Sequence, residues 1–157
     1  MSTRSRIGYL LPSGEVKSVY CHHDGYVEVG VGVGHQLHTH HNSLAAAKAI
    51  IALGDLSSLD EQLAPPTGVA HSYDNKAPRT TVAYGRDRNE KDCGAKTSAN
   101  VEAFLAIESG QEYAYLFKDG EWFVYDGDEG DPDAGDEGDP DAGQRLTLAL
   151  VTKRVTS

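Results

Sequence analysis

Cysteine is scarce in this chain. Cys21 and Cys93, the only two in 157 residues, cannot build a disulfide framework and do not form a C-x-x-C pair. No apolar run approaches the roughly 20 residues that span a bilayer. The opening MSTRSR leads into a short strand-like stretch and not into a signal-peptide core. Also missing are G-x-G-x-x-G, the Lys-Ser/Thr of a P-loop, H-E-x-x-H and paired C-x-x-C. Transmembrane, secreted and ready-made zinc or dinucleotide classes drop out, and a cytoplasmic protein is expected. Its length and an apolar share of 39% predict one domain over residues 1–157 with a core that needs no staple.

The body of the chain also lacks a charge excess of either sign. Formal net charge is −10, but residues 126–141 hold nine acids and no base. Setting those aside leaves 15 acids against 14 bases. Residues 127–134 read GDEGDPDA, and residues 135–142 repeat it without a change. Glycine, proline and like charges cannot form a core, so residues 126–143 are expected to be a flexible acidic insert. Its spacing fits neither the D-x-D-x-D-G calcium loop nor a glycine-rich nonapeptide. Because the charge is confined to this insert, phosphate mimicry over a folded surface is not expected, nor is direct nucleic-acid binding.

Two hairpins are written in the pattern. Residues 6–11 and 15–21 flank Pro12-Ser13-Gly14, and residues 113–117 and 121–125 flank Lys118-Asp119-Gly120. In the second, Tyr113, Tyr115 and Phe117 share one face, as do Trp122 and Val124. Ser43 caps an apolar helix that stops at Gly54, and Ser98 is expected to cap a second helix ending near Gly110. Residues 80–84 and the leucine-alternating stretch 145–150 complete about six strands. The fold class is α+β: a mostly antiparallel sheet with two helices packed on one face.

Several constellations could carry chemistry. Six of seven histidines fall between His22 and His41, a composition that suits zinc, and His38, His40 and His41 are the candidate ligands. The bland reading is a polar loop without metal. Gly30, Gly32 and Gly34 alternate with valine, as expected of a glycine-rich strand or turn. Arg4 and Arg6, two apart on extended chain, point the same way. Arg86 and Arg88 form a second basic stretch. With Tyr26 or Tyr84, these guanidinium forks suit a phosphate or carboxylate; the alternative is pairing with Asp87, Glu90 and Asp92. Cys21 beside His22 is not expected to form a catalytic pair, since strand neighbours point to opposite faces.

The segments MSTRSRIG (1–8), VYCHHDGY (19–26), AYGRDRNE (83–90) and EYAYLFKDGEWFV (112–124) resemble a group of small phage and prophage proteins of unassigned function. That pattern has Trp where this chain has His23 and Pro where it has Val27. The matching residues include Arg4, Arg6, His22, Asp24 and Tyr26, on segments that the first hairpin makes neighbours. The resemblance implies a phage accessory protein that acts by binding a host protein or a nucleotide-type signal, without a cofactor, to blunt a host defence. The alternatives are a small hydrolase or nuclease using His22 and Asp24, with or without zinc, and a virion-associated structural protein. A sheet edge left open would allow a homodimer.

Overall fold

The computed structural model describes residues 3–25, 27, 32–65, 67–107, 113–126 and 144–145. Tyr26, most of the acidic insert and residues 146–150 lie outside these. In chain order the elements are β1 (Ser5–Leu10), β2 (Val16–Cys21), α1 (Val33–His40), α2 (Leu44–Ala52), β3 (Leu56–Ser58), β4 (Val82–Ala83), α3 (Tyr84–Arg88), β5 (Lys96–Ser98), α4 (Val101–Leu105), β6 (Tyr113–Lys118), β7 (Glu121–Asp126) and β8 (Gln144–Arg145). The class is α+β. Among the described residues there are eight strands in place of about six, and four helices in place of two.

Both expected hairpins form. β1 and β2 pair antiparallel with Arg6 opposite Tyr20 and Ile7 opposite Val19. The turn between them places Gly14 at φ +94°, a conformation in which glycine meets no Cβ penalty. β6 and β7 pair with Tyr115 opposite Val124 and Phe117 opposite Trp122. The Phe117 and Trp122 rings meet edge-on, 5.2 Å between centroids, so the shared-face reading holds in detail. β8 pairs with β7 through Val124 and Gln144, so the insert joins neighbouring strands.

The sheet runs β4-β3-β2-β1-β6-β7-β8, with β5 also paired to β2. It is mixed, because β1 lies parallel to β6 and β2 parallel to β3. A parallel pair needs a long crossover, and residues 22–55 and 11–112 supply one each. Among the described residues the end strands β4 and β8 are each two residues long.

Helices cover both faces, a correction to the one-sided arrangement. On the first face Val33 and Leu37 of α1 and Ala47, Ile50 and Ile51 of α2 close over Ile7, Val19, Cys21, Tyr115 and Trp122. On the second face Phe104 of α4 packs on Val16 and Leu116. Gly8 makes room for it: a Cβ there would lie 3.1 Å from the Phe104 ring and 3.0 Å from Lys17 O. Ser43 caps α2 by accepting from Ala46 N–H at 3.1 Å. The cap of α4 is Asn100, accepting from Ala103 N–H at 2.8 Å; Ser98, the expected cap, lies in β5 instead. After α2 the chain turns at Gly54, φ +79°, where a Cβ would stand 2.4 Å from Cys93 O.

Residues 33–40 are helical, not a polar loop. Gly32 is the N-cap of α1, and Gly34 lies inside the helix, where a Cβ would come within 2.8 Å of Val27 Cα. These two glycines therefore serve a helix start and a close packing contact, not a strand. Gly30 is outside the described residues.

Candidate functional site

Strand alternation sorts the second face. Leu56 of β3 pairs with Cys21 of β2 on one side and Ala83 of β4 on the other, and all three are buried in the first-face core. The residues just before or after them, Tyr20, His22, Asp55, Ser57 and Tyr84, therefore turn to the second face. Arg6 lies opposite Tyr20 on the same side. Continuing the register beyond Ser5–Cys21 sets Arg4 opposite His22.

The apolar cluster around Phe104 covers the Gly8–Val16 end of this face and stops short of the Arg4–His22 end. There Tyr20, His22, Asp55 and Tyr84 are half-buried and Arg4 is exposed. The Tyr20 hydroxyl and His22 Nδ1 are 2.7 Å apart. Asp55 Oδ1 accepts from Tyr20 N–H at 2.9 Å, and Tyr84 N–H donates to Asp55 O at 3.1 Å. Asp55 thus ties two aromatic residues distant in sequence to one strand junction.

The electrostatics follow from this placement. Burial lowers the His22 pKa, helped by His23 and by the positive charge of Arg4. Burial raises the Tyr20 pKa, and Arg4 pulls against that rise. Burial also raises the Asp55 carboxyl, opposed by the Tyr20 N–H and by Arg6 and Lys96. Arg4 makes no salt bridge and His22 Nε2 no hydrogen bond among the described residues.

The charge of Arg4 acts on the His22 ring; the other expected residues are placed differently. Arg6 is 2% exposed and is used internally, donating from Nε to Ser18 Oγ at 3.2 Å and from Nη2 to Ser18 O at 3.4 Å. Burial lowers its pKa, with Asp55 opposing. It is a buried cation inside the sheet, not a ligand arm. Asp24 would share a face with His22 only if β2 continued, but the strand ends at Cys21 and Asp24 turns with φ +58°. Its carbonyl accepts from Val33 N–H, and its charge acts on the Cys21 thiol, which belongs to the first-face core. The His22–Asp24 acid–base pair is therefore not assembled. Tyr26 lies outside the described residues.

Arg86 is fully engaged: it donates to both Asp87 carboxylate oxygens, to Thr81 O at 2.7 Å and to Leu63 O. Arg88 sits 4.9 Å over the Tyr73 ring, and Tyr73 is 6.0 Å from Tyr84. Asp87 also meets His71 Nε2 at 3.0 Å. His71 Nδ1 accepts from Ala77 N–H at 3.0 Å, which places the proton of a neutral ring on Nε2, facing Asp87.

The histidine candidates also separate. His38 and His40 ride the last turn of α1, half-buried and exposed. His41 turns inward, 4% exposed, with Nε2 2.8 Å from Asp60 O. Among the described residues no group of three or more His, Cys, Asp or Glu is placed to hold a metal ion. An open groove of about 330 Å³ lies elsewhere, between Leu10, Leu44, Phe117 and the Lys118–Gly120 turn, away from the Arg4–His22 cluster. Of the residues at the cluster, Asp55 and Tyr73 gave no signal in the sequence. Tyr20 gave one: it alternates with His22 on a strand whose partner carries Arg4 and Arg6.

No protein-family model, curated protein or solved structure matches this chain.

Proposed function

We propose that the chain acts by binding, and that its ligand is anionic and held at the Arg4–His22 end of the sheet. The observation that carries this reading is an exposed guanidinium that makes no salt bridge among the described residues, beside an imidazole whose Nε2 makes no hydrogen bond among them, both at one end of the first hairpin. Tyr20 engages the imidazole through Nδ1. When Tyr20 donates to Nδ1, the ring proton sits on Nε2, and the site offers a fork and a further N–H donor to one anion. The likeness to phage and prophage proteins makes a nucleotide-type defence signal, or an acidic group on a host protein, the class to examine in the cytoplasm of an infected cell. No described helix is long and apolar enough to cross a membrane.

The test is calorimetric titration of the full chain with inorganic phosphate and pyrophosphate, beside native mass spectrometry of protein purified from bacteria. Arg4→Ala and His22→Ala should each weaken anion binding about tenfold or more with the melting temperature near the parent value. Binding that survives both substitutions unchanged, or no anion binding at all, sinks the proposal.

A further inference from the structure

We infer that the ligand is a mononucleotide, with its phosphate at Arg4 and His22, its sugar at Asp55 and its base against Tyr84 and Tyr73. This rests on the anion-binding reading above and adds the rest of the molecule to it.

The argument starts from a row across the sheet. Arg6 faces Tyr20 across β1 and β2. Tyr20 lies beside Asp55, because Cys21 and Leu56 are partners in parallel strands. Asp55 lies beside Tyr84, because Leu56 and Ala83 are partners in antiparallel strands. At about 4.8 Å per strand, Tyr20 and Tyr84 stand about 10 Å apart with the carboxylate between them. Beyond Tyr84 comes Tyr73, and over Tyr73 the Arg88 guanidinium.

Three features of that row point away from a bare anion. First, Tyr20, Tyr73 and Tyr84 are half-buried yet belong to neither apolar cluster. Their rings are not consumed by the core, and half-exposed aromatic faces are what a base stacks on. Second, Asp55 places a carboxylate next to the cationic end. One oxygen is taken by Tyr20 N–H; the other has no hydrogen bond among the described residues. A phosphate gains nothing from it, whereas a sugar hydroxyl donates to it. Third, the same carboxylate repels a second phosphate further along, so a polyanionic strand laid on the row is disfavoured and a single nucleotide is not.

The probes are AMP, UMP, ribose 5-phosphate, inorganic phosphate and a 12-nucleotide single strand, titrated into the full chain. Each nucleoside monophosphate should bind about tenfold or more tightly than ribose 5-phosphate. Tyr73→Leu and Tyr84→Leu should each remove about tenfold of nucleotide affinity and leave ribose 5-phosphate unchanged. The Ser57 side chain acts on the Tyr84 hydroxyl, so Tyr73→Leu carries the test if the other variant melts early. Equal binding of ribose 5-phosphate and the nucleotides overturns this inference and leaves the anion site standing. Loss of binding to every phosphate compound removes both. Binding of the 12-nucleotide strand without binding of mononucleotides overturns the inference in favour of nucleic acid.

Discussion

Asp87 holds the segment before α3 onto the sheet, and its charge can be removed with little change in volume. The carboxylate accepts from Ala83 N–H at 2.8 Å and from Arg86 Nε and Nη2 at 2.8 and 2.9 Å. It also contacts His71 Nε2 at 3.0 Å, with both side chains 4% exposed. Burial pushes the carboxyl up, but the bonds from Arg86, Ala83 N–H and His71 and the Arg86 charge outweigh it, bringing it from its ordinary 3.8 down to about 2. At 1.36 kcal/mol per unit, and with Arg86 partly open to solvent, that is about 1–2 kcal/mol of stability. Because the folded value lies below the unfolded one, this contribution is complete above about pH 4 and lost as pH falls through about 2. Asp87→Asn removes the charge and one acceptor oxygen, leaving a buried donor unpaired. The expected cost at pH 7 is about 2–3 kcal/mol, or about 5–10 °C in Tm for a domain of this length. Urea unfolding of parent and variant at pH 7, 5, 3 and 2 isolates this one group from the other carboxylates. The gap between the two should narrow by about 1–2 kcal/mol between pH 5 and pH 2. A gap under about 0.5 kcal/mol at pH 7, or one that stays constant down to pH 2, refutes the reasoning.

Phe104→Ala should cost about 3–5 kcal/mol, since the ring is fully buried and closes the second face over Gly8; urea midpoints read it, and a loss under 1 kcal/mol contradicts the two-faced sheet. The two thiols should differ sharply toward a disulfide reagent in the native state. Burial, with the Asp24 charge, holds Cys21 up at about 12, whereas Cys93 is part-exposed; one fast thiol and one released only on unfolding is expected, and equal rates disprove it. Deleting one GDEGDPDA copy roughly halves the connection between Val124 and Gln144, so closure entropy changes stability by about 0.5 kcal/mol in the favourable direction; a drop in Tm of several degrees shows that the repeat contributes to the fold.

Local pattern carried much of the architecture. The two hairpins were legible because period-two alternation and the Pro-Ser-Gly and Lys-Asp-Gly turns are sequence-local. The same register, continued one residue, sets Arg4 opposite His22. The parallel joins were not legible: pairing Ser5 with Tyr113 or Cys21 with Leu56 leaves no mark on either segment's own periodicity. The expected α4 cap shows the limit at short range. Ser98 and Asn100 are both good caps, and the pairing of Ser98 with Val16 in β5 leaves the role to Asn100.

What the amino-acid order determined by itself was which residues share a strand face and which turns can close, because backbone geometry repeats every two residues. Only the tertiary structure decided what covers each face. Arg4 and Arg6 are equivalent in the pattern, yet Arg6 is sealed beside Ser18 while Arg4 stays in solvent, since neighbouring strands and α4 cover the sheet unevenly. Likewise, Asp55 stands beside Tyr20, rather than Asp24 beside His22, because the chain turns at Asp24 and a strand from 35 residues further on fills the place. A side chain's direction is a local property; its neighbours and its access to water belong to the assembled sheet.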